Sequence, residues 1–66
     1  MRREFITAVP PEEVREIALA SGASIFLEIR EAEPFHGMPR YLVVVEGEER
    51  EVERFMAHMM RARAGG

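Results

Sequence analysis

A chain of 66 residues with a formal charge of -3 has room for one domain, and its 47% apolar and 32% charged residues are the profile of a folded chain rather than a disordered one. The apolar runs are only a few residues long, which excludes a membrane-spanning helix from the sequence and predicts no membrane partner. The acidic balance, with Arg2 and Arg3 at one end and Arg61 and Arg63 at the other, lacks the clustered basic face that nucleic-acid binding needs, so no nucleic-acid partner is expected.

Some absences are equally telling. There is no Cys, so disulfides and thiolate metal sites are out of reach. A metal would have to rely on His36, His58 and glutamates, a poor set, and neither a metal nor another cofactor is expected. A domain of this size buries only about 60% of the surface its unfolded chain exposes. A lone core at this length rarely supplies more than roughly 3–5 kcal/mol of net stability. With disulfide and metal excluded, self-association is the remaining source of stability. The chain also lacks Lys, Asp, Asn, Gln and Trp: every acid is Glu and every fixed base is Arg. Loss of thermolabile side chains together with Glu–Arg pairing fits a thermophilic source. Codon bias in a GC-rich genome is the rival explanation. Met1-Arg2-Arg3 leads into Glu4 and a short apolar run, not a signal peptide, and predicts a cytoplasmic protein.

The run Phe5-Ile6-Thr7-Ala8-Val9 predicts a first strand, apolar on both faces. Pro10-Pro11 ends it, and Pro11 opens a helix to about Ser21. Glu12 and Glu13 sit at the positive end of its dipole, Val14, Ile17 and Ala18 form its buried stripe, and Gly22 is its stop. From Ala23 to about Glu31, Ile25, Leu27 and Ile29 alternate with Phe26, Glu28 and Arg30, a strand with one buried face. Residues 32–39 read as a long loop. Arg40 to Glu46 is a third strand, apolar on both faces and therefore central. A second helix follows from Glu48 to about Ala62, with Val52, Phe55, Met56 and Met59 on one stripe, and residues 64–66 form a flexible tail.

The predicted fold is thus a single α+β domain over residues 1–66, of βαββα order. Its three-stranded sheet has order 1-3-2, both helices lie on one face, and the right-handed crossover is taken to set strands one and three parallel. This element order resembles the ferredoxin-like or ACT-like arrangement without its last strand. The resemblance implies a non-enzymatic module, since ACT-like modules often bind small metabolites at subunit interfaces. A site is then expected between strand one, the turn around Val9 to Glu12 and a partner copy. The absent strand would lie beside strand one and leaves that edge open. Phe5, Thr7, Val9, Phe26, Tyr41, Val43 and Val45 are the expected interface of a homodimer or larger symmetric assembly.

Three further segments are candidates. Phe35, His36, Gly37 and Met38, between Pro34 and Pro39, offer apolar contact, and His is the side chain that changes charge near neutral pH; they form a candidate loop for a small-molecule or protein partner. The bland alternative is a long hairpin loop tucked over the core edge. Met56, His58, Met59 and Met60 have the soft donors of a copper(I) site, but Met56 and Met59 fall in the core stripe, so no metal is assigned. The Arg61-Ala62-Arg63-Ala64-Gly65-Gly66 terminus resembles that of ubiquitin-like modifiers and sulfur carriers, which implies an activated diglycine at Gly65 and Gly66. No catalytic residue is assigned, for no spacing recommends a nucleophile–base pair or a phosphate loop. The function expected is a small homo-oligomeric module binding a small ligand or a protein. The alternatives are a structural subunit of a larger complex and a diglycine carrier.

Overall fold

The structure is a computed structural model that describes residues 1–65, with side chains described for residues 1–62. Five elements follow in the expected order: β1 (Arg2–Thr7), α1 (Pro11–Ser21), β2 (Phe26–Phe35), β3 (Met38–Glu46) and α2 (Glu49–Gly65). The sheet order is β1-β3-β2.

The direction of β1 corrects the expectation. It runs antiparallel to β3, with Arg2 opposite Glu46 and Thr7 opposite Tyr41. β2 is also antiparallel to β3, with Leu27 opposite Val45 and Ala32 opposite Arg40. The two strands joined through α1 are therefore the parallel pair, and β3 lies between them. The crossover rule governs β1 and β2, the strands the helix connects, and says nothing of β1 against β3.

β1 begins earlier and ends earlier than its apolar run. The Met1 ammonium donates to the Gly47 carbonyl at 2.8 Å, and the Gly47 N–H donates to the Met1 carbonyl at 3.0 Å. That double exchange fixes the alternation of the ladder. Arg3, Phe5 and Thr7 direct their backbone groups to β3, and Arg2, Glu4 and Ile6 direct theirs to the open edge. The strand stops where the Val9 N–H donates to Thr7 Oγ1, 3.1 Å away.

α1 has the predicted bounds. Pro11 is its first residue, and the Pro10 carbonyl accepts from both Glu13 and Val14 at 3.0 Å. Gly22, at φ 68°, turns the chain left-handed and donates to the Leu19 carbonyl.

The predicted loop over 32–39 is instead the end of a long hairpin. β2 extends to Phe35, β3 starts at Met38, and His36 and Gly37 alone make the turn. Both have positive φ, 51° and 76°, as a two-residue turn of the I′ kind requires. A bulge between Ala32 and Phe35 sets Glu33 and Pro34 against Pro39. Two prolines are tolerated there because the ladder is already interrupted.

One core unites all five elements. Val14 of α1, Val43 and Val45 of β3, and Val52, Phe55 and Met59 of α2 are fully buried together, with Phe5, Leu27 and Ile29 packed against them. Both helices thus cover the same face of the sheet. The other face carries Arg2, Glu4 and Ile6, then Arg40, Leu42, Val44 and Glu46, then Phe26, Glu28 and Arg30. It is less greasy than the sequence suggests. Arg2 pairs with Glu4 at 3.3 Å and with Glu46 at 3.9 Å, and Arg30 pairs with Glu28. Val44, between Glu4 and Glu28, is left only 7% exposed.

Candidate functional site

The backbone between β1 and α1 lines one of the surface concavities. Thr7, Ala8, Val9 and Pro10 form one wall, Glu13 and Ile17 of α1 a second, and Arg40 of β3 and Ala62 of α2 the remainder, around about 460 Å³. That volume suits a small molecule. Of the turn expected to border a site, Val9 and Pro10 line this concavity, and Pro11 and Glu12 do not. The sequence reading missed Arg40. The signal was present in the register: Tyr41 lies opposite Thr7, so an antiparallel β3 brings its next residue, Arg40, to the β1–α1 turn.

Arg40 is the one arginine, among residues with described side chains, that is not exposed. Its guanidinium carbon lies 4.8 Å from the centre of the Phe35 ring across the hairpin. Its Nε is buried and has no hydrogen-bond partner. Arg2, Arg30 and Arg54, by contrast, each pair with glutamate.

The expected interface set is split by strand parity. Phe5, Thr7, Tyr41, Val43 and Val45 point to the helices: Val43 and Val45 are fully buried, Thr7 is 4% exposed, and the Phe5 ring lies 6.4 Å from that of Phe55. Thr7, Val43 and Val45 are buried within the chain itself, so a second copy does not reach them while it is folded; Phe5 packs against the core and Tyr41 is half-buried. Val9 is half-buried and lines the cleft. Phe26, on the opposite parity, is 83% exposed. The outer face that a partner would meet is instead that of Ile6, Leu42 and Phe26.

The candidate loop residues do come together. Phe35 and Met38 are an exposed cross-strand pair flanking the turn, and the His36 ring meets the Phe35 ring edge-on at 4.2 Å. Gly37 completes the turn. Met59 lies in the core with Met56 packed against it, and Met60 is exposed. His58 Nδ1 is 3.1 Å from the Arg54 carbonyl oxygen. No three His or Glu residues cluster as metal ligands among the described residues. Of the diglycine, Gly65 closes α2, which runs past the predicted end at Ala62, and Gly66 lies outside the described residues. No helix among the described residues is long and apolar enough to cross a membrane.

A family model described as "Uncharacterised protein" matches residues 1–66. No curated protein and no solved structure matches the chain.

Proposed function

The chain belongs to that family of uncharacterised proteins over its whole length, and we propose that it is a small, non-enzymatic, homo-oligomeric module that holds a small ligand in the cleft between β1, α1 and Arg40. The cleft carries this reading. It combines apolar walls with a few polar groups, the usual make-up of a ligand site. The element order and the 1-3-2 sheet, antiparallel throughout, support the ferredoxin-like or ACT-like resemblance. In that arrangement a further strand would lie beside β1, where Arg2, Glu4 and Ile6 turn unpaired backbone groups outward. A second copy is the proposed occupant of that edge, next to the cleft.

The test is a screen of small metabolites by thermal shift, with sedimentation of the same samples. A ligand that raises the melting temperature, with backbone NMR shifts confined to residues 7–17 and Arg40, supports the reading. A monomer that responds to no compound overturns it.

The exposed Phe35 and Met38 favour a second reading, an interaction subunit that docks its hairpin tip into a larger assembly. It predicts a stable protein partner whose capture is lost when both are changed to serine. The diglycine carrier is a third reading, tested by mass spectrometry after incubation with an activating enzyme and ATP. A cytoplasmic location and a thermophilic source complete the proposal, the latter resting on the Glu–Arg composition.

A further inference from the structure

We infer that Arg40 anchors a single anionic group, a carboxylate or a phosphate, on a ligand whose short apolar chain lies along Ile6, Val9 and Ile17. This rests on the cleft being a ligand site and names the class of ligand it takes.

The guanidinium is placed as a receptor would need it. Arginine presents up to five N–H donors in a planar fork that matches carboxylate and phosphate oxygens. Arg40 alone among the arginines with described side chains is half-buried rather than exposed, and it lines the cleft. No glutamate lies within ion-pair distance of it among the described residues. Its Nε is buried without an acceptor, so the terminal amino groups are the donors left to meet a ligand. Phe35 stacks on the guanidinium at 4.8 Å and limits its rotation, so less freedom is lost when a ligand binds.

The rest of the cleft selects the remainder of the ligand. Ile6, Val9, Ile17 and Ala62 offer hydrocarbon walls. Glu13 shares the cleft but makes no ion pair with Arg40. Its negative charge opposes a second anionic group, so a ligand with one anionic end and an uncharged tail fits best.

Hexanoate, hexyl phosphate and hexanol, titrated into the full chain and followed by backbone NMR, test the inference. Hexanoate or hexyl phosphate is expected to shift residues 7–17 and Arg40, with hexanol roughly tenfold weaker or more. Binding of the carboxylate alone or of the phosphate alone identifies the head group. Arg40→Gln is expected to weaken the anion by a similar factor while circular dichroism stays unchanged. Glu13→Gln, at an exposed position, is expected to tighten it, and serves if Arg40→Gln does not fold. Hexanol binding as well as either anion, or anion binding unaffected by both substitutions, overturns the inference and leaves the cleft as an apolar ligand site. No shift with any of the three, together with no hit in the metabolite screen, overturns both.

Discussion

The Glu51 carboxylate accepts the Ser24 backbone N–H at 2.8 Å, joining residues 27 apart in sequence. One side chain thereby ties the first turns of α2 to the segment that leads into β2. Its 21% side-chain exposure moderates the bond's strength without removing it. Glu51→Ala is expected to cost about 1 kcal/mol. Glu51→Gln, which keeps an acceptor oxygen, is expected to cost less. Urea unfolding of the three proteins measures the order; equal stability of all three would show that the bond contributes nothing.

Phe55 is fully buried and meets Phe5 across the sheet–helix interface. Phe55→Ala is expected to cost about 3–5 kcal/mol. A core this size rarely supplies more than about that amount, so the variant is expected to show no cooperative melting. Phe55→Leu should melt cooperatively with a loss of roughly 1 kcal/mol. A cooperative transition in the alanine variant would place the stability elsewhere.

The hairpin turn gives a contrast of opposite sign. Gly37 has open space around its absent Cβ, so a side chain there meets only backbone strain at φ 76°. Gly37→Ala is expected to destabilise by about 1 kcal/mol. His36 already occupies positive φ, where asparagine is favoured, so His36→Asn should leave stability unchanged or raise it by a few tenths of a kcal/mol. Thermal denaturation reads both. A large loss in His36→Asn would mean that the imidazole does more than turn the chain.

The open edge of β1 is tested by proline at neighbouring positions. The Glu4 N–H faces outward and the Phe5 N–H bonds to β3. Glu4→Pro is expected to keep the fold and give a monomer in sedimentation. Phe5→Pro is expected to lose the fold by circular dichroism. An assembly that persists in Glu4→Pro would join through the outer sheet face instead.

Elements with local grammar were legible in the sequence. Pro11 and Gly22 mark both ends of α1, and the alternation through Leu27 and Ile29 gives the inner face of β2. What depended on register was not. The all-apolar run of β3 conceals parity, so Val43 and Val45 passed for interface although they lie under the helices. Pro34 and Pro39 read as loop residues because a proline breaks a ladder, whereas here they sit at a bulge that had already broken it. Arg40 carried no local signal. Its place in the cleft follows from the pairing of Tyr41 with Thr7, which requires knowing that β1 and β3 run in opposite directions.

Because β3 separates the two strands that precede it, β1 and β2 never touch. A chain emerging from the ribosome therefore has no sheet to build until β3, Met38 to Glu46, is being synthesised. β2 and β3 can then close across their short turn at once, while β1 must wait to zip onto the finished pair from the far end of the sequence. In the mature protein the same asymmetry should return as dynamics: the amides of Arg3 and Phe5 are expected to exchange with deuterium sooner than those of Leu42 and Val44 that join β3 to β2, so that the strand last to arrive is also the first to leave.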